Sequence, residues 1–362
     1  MNKFLLLTFI LIYVTAVLAA QTDPLIKFSD PSTIWGNGVE SVIEEAYRQC
    51  FKTRIIGDRI INIRMPFAEN HERDLLADSV WEFYGGGKAN PEILWPVIEQ
   101  IIDSPDFGKY ILALSGGKER VFIFDIPRQS WSYSADLFDL ARLKAGSYRG
   151  LPHKPYVLTS GRGVLESDIY NYLYCVGLVG MDCSGFVWHV LSWIAKRGNL
   201  DLGAVLIRAM GMPRRADPAW YAGTSFFNSK NAQITAVNDE IRFLRPADII
   251  LFPGRDGGVV HSAVIQSVDF KTGTIRYLQC TDEAPLTERG VHESFIRFNP
   301  ASAPFSLSDL SLVWTQKRYA PFPGEKDSPF SDDGERYRAY SGGKVVRMSA
   351  LAPVIEKINK ER

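Results

Sequence analysis

Three short apolar segments between residues 249 and 281 constrain the fold more than any other part of the chain. They cover residues 249–252, 259–268 and 274–281. A glycine-rich loop separates the first two segments, and a turn ending in Gly273 separates the last two. Because connections this short join antiparallel strands, the sequence predicts an antiparallel meander whose middle strand carries His261.

A helix is predicted to begin at Cys183. Asp182 before it is a residue type that caps helices, and the small Ser184 and Gly185 follow. Apolar side chains then recur at helical spacing, at Phe186, Val187, Val190, Leu191 and Ile194. A helix start favours a thiolate and offers the Cys183 N–H to an oxyanion, so Cys183 is a candidate nucleophile. The alternative is a buried cysteine in an ordinary helix.

The pairing of the last two strands decides whether His261 has a polar neighbour. With a turn of three or five residues, His261 pairs with Thr281 and Gln279 lies diagonally on the same face, about 7 to 8 Å away. A glutamine oxygen there can accept a hydrogen bond from one imidazole nitrogen while the other nitrogen faces a thiol. Taken singly, His261 is better interpreted as a core histidine whose hydrogen bonds are satisfied, and Gln279 as a polar residue at a sheet edge. Together with Cys183 they favour a nucleophile, a base and an orienting residue.

The N-terminus has the pattern of an export signal. Lys3 precedes an apolar stretch over residues 4–20, and Val17, Leu18 and Ala19 offer small or short side chains to a signal peptidase. We therefore expect a cleaved signal peptide over residues 1–19 and a periplasmic or extracellular protein. The stretch is close to the minimum length of a membrane span, so an uncleaved anchor is the alternative. Cysteine is absent near the cleavage point, which disfavours lipoprotein processing.

Export also raises the question of disulfides. The chain has four cysteines, Cys50, Cys175, Cys183 and Cys280, and two bridges, one of them Cys175–Cys280, are the alternative to free thiols. A chain of 362 residues does not need disulfides to compensate for a small core. Neither the cysteines nor the five histidines show paired metal-ligand spacing, so we expect no structural zinc and no cofactor.

Charge disfavours nucleic acid as a partner. Lys plus Arg and Asp plus Glu both number 41, which leaves no net charge to attract a polyanion or an anionic membrane surface.

Changes in composition divide the chain into segments. We predict a mixed α/β domain of unknown role over residues 21–147, with helices over residues 39–49 and 91–102 and a hairpin that pairs residues 110–114 with 120–124. A Gly-, Pro- and Ser-rich stretch opens a second domain over residues 148–320. Residues 321–362 form the tail, which we expect to be loose over 321–343 and to end in one helix over 348–361.

The second domain resembles the NlpC-type family of bacterial cell-wall cysteine peptidases. The resemblance rests on Asp182-Cys183-Ser184-Gly185 at a helix start, the Pro246-Ala247-Asp248 turn and the strand that carries His261. It implies a papain-like α+β fold in which helices pack on an antiparallel sheet. It also implies that Cys183 is the nucleophile, His261 the general base and Gln279 the orienting residue, with Tyr174, Asp182 and Ser184 holding the substrate's peptide end.

The chain departs from the family pattern at several positions. Ala247 replaces a glycine, Ser262 and Ala263 replace Val-Gly, and Gln279 stands where the family more often has histidine. The long separation between Cys183 and His261 indicates an insertion over residues 220–238, at the rim of the cleft.

The resemblance implies a secreted or periplasmic peptidoglycan hydrolase that cleaves stem peptides, between γ-D-glutamate and the diamino acid. One alternative is an amidase or acyltransferase that acts on another cell-wall or lipid substrate. Another is a catalytically inactive wall-binding module.

Overall fold

The computed structural model describes residues 36–57, 59–68, 90–115, 121–125, 130–134, 156–158, 163–174, 179–213, 218, 222–285, 288–302, 305–319 and 328–361. The expected signal peptide and Cys175 lie outside these residues. Among the described residues, none of the helices has the length and apolar character that a membrane crossing requires.

Nine α-helices and twelve strands make up the described part of the chain. The helices are α1 Val39–Arg48, α2 Pro91–Ile102, α3 Pro105–Ser115, α4 Glu166–Tyr172, α5 Cys183–Arg197, α6 Leu202–Ala209, α7 Thr224–Phe227, α8 Asp333–Arg338 and α9 Ala352–Lys360. The strands are β1 Phe51–Ile56, β2 Arg59–Arg64, β3 Val121–Asp125, β4 Ser130–Ser134, β5 Tyr156–Leu158, β6 Ile234–Val237, β7 Ile249–Pro253, β8 Val259–Asp269, β9 Thr274–Thr281, β10 Gly290–Arg297, β11 Val313–Trp314 and β12 Lys344–Met348.

A seven-stranded sheet forms the centre of the described structure. Its strand order is β11-β10-β9-β8-β7-β12-β6, and every neighbouring pair is antiparallel. The predicted meander is confirmed as strands β7, β8 and β9. Helices packed on an antiparallel sheet make this an α+β fold.

Each face of the sheet has its own hydrophobic core. Ile249 and Leu251 of β7 belong to the core shared with helix α5, whereas Ile250 and Phe252 belong to a second core with Tyr337 of α8. This division follows from the alternation of side chains along a strand. The sheet is therefore covered on both faces, and β7 is apolar and buried along its whole length.

Helix α5 begins where the sequence predicts. The Asp182 carboxylate accepts a hydrogen bond from the Gly185 N–H and caps the first turn. Phe186, Val190 and Ile194 are fully buried in the core under the sheet. This packing places Cys183 at the sheet end of a buried helix.

The tail differs from the expectation of a loose segment. Strand β12 lies between β7 and β6, with Val345 opposite Ile250 on one side and Val237 on the other. Helix α8 packs on β7, and Asp333 and Tyr337 are buried. The low apolar content of this region hid elements that are short but held by non-local strand pairing. The helix predicted over residues 348–361 corresponds to α9.

The hairpin expected over residues 110–124 is wrong in its first half. Residues 110–114 belong to helix α3, and strand β3 pairs instead with β4 and β5. Phe107, Tyr110 and Leu114 are buried at helical spacing, whereas Leu112 is 75% exposed. An uninterrupted apolar run suits a helix or a strand equally well, and packing on Tyr172 decided the matter here.

The boundary expected near residue 148 is not a break in packing. Helix α1 packs on α5, and the His189 imidazole of α5 donates a hydrogen bond to the Ala46 carbonyl at 3.0 Å. One hydrophobic core contains residues from α1, α2 and α3 together with residues of α5. The predicted helices over residues 39–49 and 91–102 are confirmed as α1 and α2.

The described part of the segment over residues 220–238, which we expected to be an insertion at the rim of the cleft, contributes to the packed structure. Phe226 and Phe227 of α7 are buried in the main core, and β6 forms one edge of the sheet beside β12. Trp220 lies outside the described residues.

Candidate active site

The Cys183 thiol lies against Ser262 of β8, the residue that follows His261. Helix α5 brings the thiol to this strand because its first turn abuts the sheet. Successive residues of a strand point in opposite directions, so the Ser262 hydroxyl and the His261 ring leave β8 on different faces. Cys183 is 8% exposed, which puts it at the margin of the buried interior.

The imidazole of His261 is held by Gln279 on the neighbouring strand. His261 Nε2 lies 2.7 Å from Gln279 Oε1, and the ring packs on Phe252 with 5.2 Å between ring centres. The predicted side-chain contact between His261 and Gln279 is therefore confirmed. Within the described part of the chain, no hydrogen bond joins the imidazole directly to the thiol.

The diagonal relationship between His261 and Gln279 arises by a different route from the predicted one. The turn between β8 and β9 has four residues, from Phe270 to Gly273, and a register shift between Ile265 and Ser267 restores the parity. Val264 then pairs with Leu278, so Gln279 lies opposite Ala263 and diagonal to His261. A β-bulge substitutes for the turn of three or five residues.

The orientation of the Gln279 amide is set from the other side by Asp333. The Gln279 side-chain nitrogen donates to Asp333 Oδ2 at 2.9 Å and to Ser294 Oγ at 3.1 Å. A carboxylate only accepts hydrogen bonds, so the amide oxygen must point at the imidazole. His261 then carries its proton on Nε2, and Nδ1 is left with the lone pair that a base needs.

Both partners of the expected catalytic pair are neutral at rest. Burial raises the pKa of the Cys183 thiol to about 12, and the Asp182 carboxylate adds to that rise. The contact with Ser262 and the charge of Arg336 act in the opposite direction without reversing it. Burial lowers the pKa of His261 to about 3, reinforced by Arg336 and Arg318. The helix start alone therefore does not give a thiolate here, and any reaction must begin by proton transfer from the thiol to a neutral base.

Two arginines and two acids surround this group. Arg318 is fully buried and pairs with Asp333 at 2.6 Å and with Glu283. Arg336 of α8 lies 3.7 Å from Glu283. Attraction to Arg318 lowers the pKa of both acids, against the effect of burial. The site therefore holds permanent charges on the Gln279 side of the imidazole.

The three residues assigned to substrate binding lie around the thiol side. Asp182 and Ser184 flank Cys183, and the Ser184 hydroxyl donates to Asp182 at 3.1 Å. The Tyr174 hydroxyl donates to Asp282 at 2.9 Å, in the loop after β9. The structure thus places Asp182 and Ser184 beside the nucleophile, and Tyr174 against Asp282.

Ala247 occupies a position at which the family that this chain resembles has glycine. Its φ angle is 73°, in the left-handed region that non-glycine residues rarely adopt. The turn is held by the next residue, Asp248, which accepts the Arg245 N–H at 2.8 Å and pairs with Arg347 of β12 at 2.6 Å. A tail residue therefore stabilises the turn before β7.

Sequence reasoning missed Asp333 and Arg336 because both belong to the region expected to be loose. One signal was available: Asp332 and Glu335 have the spacing of a helix cap, and the Asp332 carboxylate accepts from the Glu335 N–H at 2.8 Å. Nothing local in the sequence, however, connects this helix to Gln279. Tertiary contacts do so, among them the hydrogen bond from the Asp333 N–H to the Gln316 carbonyl and the pairing of Lys317 with Asp332.

The cysteines of the described residues are reduced. Cys50, Cys183 and Cys280 are free thiols, and Cys175, the other member of the alternative bridge, lies outside the described residues. Cys280 Sγ lies 3.0 Å from the Met181 carbonyl oxygen. Among the residues that the structure describes, His, Cys, Asp and Glu form no group that could hold a metal ion.

Comparison with known proteins gives this chain no relative. No family model, no curated protein and no solved structure matches it.

Proposed function

We propose that this protein is an exported thiol hydrolase with a papain-like catalytic arrangement that cleaves amide bonds in peptidoglycan stem peptides. The resemblance of residues 182–185 and of the strand carrying His261 to cell-wall cysteine peptidases supports the substrate class. The apolar stretch over residues 4–20 supports export. Localisation, substrate and activity are all part of the proposal.

One observation carries the proposal: the contact between His261 Nε2 and Gln279 Oε1. It leaves Nδ1 as the imidazole nitrogen able to accept a proton. The thiol lies against the next residue of the same strand, Ser262. Apo structures often lack the final hydrogen bond between nucleophile and base, which tightens when substrate binds.

The proposed reaction requires that substrate binding bring the thiol and the imidazole, which lie on different faces of β8, within reach of each other. The Cys183 proton moves to His261 Nδ1 as the sulfur bonds to the carbonyl carbon of the scissile amide. The imidazolium then gives that proton to the leaving nitrogen as the carbon–nitrogen bond breaks. Water attacks the remaining thioester, releases a carboxylic acid and restores the thiol. The Cys183 N–H, at a helix start, is a donor for the oxyanion.

The bond we propose is the one between γ-D-glutamate and the diamino acid. This specificity rests on the resemblance, in which Tyr174, Asp182 and Ser184 hold the substrate's peptide end. The positions of Asp182 and Ser184 beside Cys183 are compatible with that role.

Mass spectrometry of defined muropeptides tests the proposal. The reduced protein is incubated with them beside its Cys183→Ala variant, and a Cys50→Ala variant is the matched control for a buried thiol away from the site. We expect cleavage after γ-D-glutamate by the wild type and the control, and none by Cys183→Ala. Intact muropeptides in all samples would contradict the peptidase. A different cleaved bond would instead support the amidase or acyltransferase alternative.

A second function, an inactive wall-binding module, is favoured by the neutral resting site and the lack of a direct thiol–imidazole hydrogen bond in the described structure. Sedimentation with purified peptidoglycan tests it. A binding module sediments equally well as wild type and as Cys183→Ala, and neither protein releases soluble fragments.

A further inference from the structure

Arg336 is a buried cation without a full set of partners. It is 9% exposed, and its nearest carboxylate oxygen among the described residues is that of Glu283, 3.7 Å away. That distance exceeds a hydrogen bond, so within the described structure the five guanidinium N–H donors form none. Buried arginines are normally paired, because an unpaired charge is costly to remove from water.

The nearby acids are committed to the other arginine. Glu283 accepts two hydrogen bonds from Arg318, and Asp333 accepts one at 2.6 Å as well as the amide of Gln279. The Glu283 oxygen that lies 3.7 Å from Arg336 is Oε2, the same oxygen that already accepts both bonds from Arg318. The cluster as a whole has one guanidinium left for an anion from outside.

The position of Arg336 puts that guanidinium beside the reacting groups. Asp333 and Arg336 are three residues apart on α8 and so share one face of the helix. Asp333 contacts the Gln279 amide that holds His261. Arg318 pairs with both Asp333 and Glu283, and Arg336 lies 3.7 Å from Glu283. The Arg336 guanidinium therefore belongs to the charged cluster that orients the Gln279 amide. Its charge also acts on the Cys183 thiol and the His261 ring.

We infer that Arg336 is an anion subsite of the active centre and binds a free carboxylate on the acyl side of the scissile amide. This inference rests on the proposed function for its substrate, since a γ-D-glutamyl amide carries its own α-carboxylate beside the bond to be cut. The guanidinium matches a carboxylate by two parallel hydrogen bonds. The enzyme therefore selects γ-glutamyl donors whose α-carboxylate is free over those in which it is amidated.

Alkylation of Cys183 tests the subsite without any assumption about the substrate. Iodoacetate and iodoacetamide react in the same way: the sulfur bonds to the methylene carbon and iodide leaves. They differ in that only the first carries a carboxylate. The measured quantity is the ratio of the two rates at Cys183, followed by mass spectrometry of the peptide that contains it, in folded protein and in protein unfolded by urea.

In folded wild-type protein we expect the iodoacetate-to-iodoacetamide ratio to exceed that of the unfolded chain by about tenfold. Arg336→Met should abolish the difference, and Arg336→Lys should keep part of it. Lys317→Met removes a positive charge from an exposed side chain nearby and should change nothing. Equal ratios in folded and unfolded wild type would overturn the subsite even if Arg336→Met does not fold.

A pair of stem peptides separates failure of the subsite from failure of the peptidase. One carries D-glutamate and the other D-isoglutamine, whose α-carboxylate is an amide. Faster cleavage of the first by wild type, lost in Arg336→Lys or Arg336→Met, supports the subsite. Cleavage of both peptides at equal rates overturns the subsite and leaves the peptidase standing. Anion-selective alkylation with neither peptide cut leaves the subsite standing and contradicts the peptidase.

Discussion

The Asp333 carboxylate is connected to the His261 imidazole by one side-chain amide, that of Gln279. The amide nitrogen lies 2.9 Å from Asp333, and the amide oxygen lies 2.7 Å from the imidazole. A neutral glutamine alone could turn either end towards a histidine, but a buried carboxylate behind it allows one orientation. Helix α8, which carries Asp333, thus determines which imidazole nitrogen can act as a base.

Loss of the Asp333 charge should destabilise the fold. In Asp333→Asn, the fully buried Arg318 loses one of its two carboxylate partners. We expect the free energy of unfolding to fall by about 3 kcal/mol, because breaking a buried ion pair leaves an uncompensated charge. Asp332→Asn is the control, since asparagine also caps helices, and it should change stability by less than about 0.5 kcal/mol. Urea unfolding measures both, and equal stabilities would contradict the buried pair.

Truncation of Gln279 should reduce catalysis more than binding. Gln279→Ala removes the acceptor that fixes the His261 tautomer, and we expect kcat on a cleaved muropeptide to fall about a hundredfold with KM little changed. The chain contains a matched control, because Gln316 Oε1, just after β11, holds His292 Nε2 of β10 at the same distance of 2.7 Å. Gln316→Ala should leave kcat within about threefold, because Gln316 joins Gln279 through the Ser294 hydroxyl but orients His292 rather than His261. Similar losses in both variants would indicate a general effect on folding.

The reactivity of Cys183 should rise steeply with pH. Because burial raises the pKa of the thiol to about 12, the thiolate fraction at pH 7 is small and grows about tenfold for each pH unit. Iodoacetamide labelling of the Cys183 peptide is expected to accelerate continuously from pH 7 to pH 10. A plateau beginning near neutral pH would show instead a thiolate paired with an imidazolium.

Mild acid should destabilise the protein through three buried histidines. Burial lowers the pKa of His189 and His292 to about 4 and that of His261 to about 3, below the ordinary value of 6.5. Below pH 6.5 the unfolded chain takes up protons that the folded chain refuses, so stability is greatest above pH 6.5 and falls as the pH drops. With three such histidines, the free energy of unfolding should fall by up to about 4 kcal/mol for each pH unit.

Urea unfolding at pH 7.5, 6.5, 5.5 and 5.0 measures this loss in a range above the carboxylate pKa values. Replacement of His292 by glutamine removes one of the three titrating groups. The dependence of the free energy of unfolding on pH should then become weaker by about 1.4 kcal/mol per pH unit. Constant stability between pH 7.5 and pH 5.0 would show that the histidines are not held neutral in the fold.

Much of the sheet and the main helix could be predicted from the sequence, because their signals are local. The apolar spacing after Cys183 and the capping Asp182 predicted α5, and the run of short apolar segments predicted β7, β8 and β9. The predicted relationship of His261 to Gln279 was also correct, although a bulge rather than the turn length produces it. Residues 110–114 could not be assigned, because an apolar run does not distinguish a helix from a strand until its neighbours are known.

By itself, the sequence determined the elements whose periodicity or caps decide their form, and with them the positions of Cys183, His261 and Gln279. Tertiary structure alone decided that the tail belongs to the site. Strand β12 pairs with β7 across about a hundred residues of chain, and backbone hydrogen bonds from Asp333 to Gln316 and from Arg318 to Ser331 hold the start of α8, so that Asp333 contacts the amide that orients the imidazole. Contacts of such long range leave no periodic trace in the sequence, because they depend on which backbone edges remain unpaired once the local elements have formed.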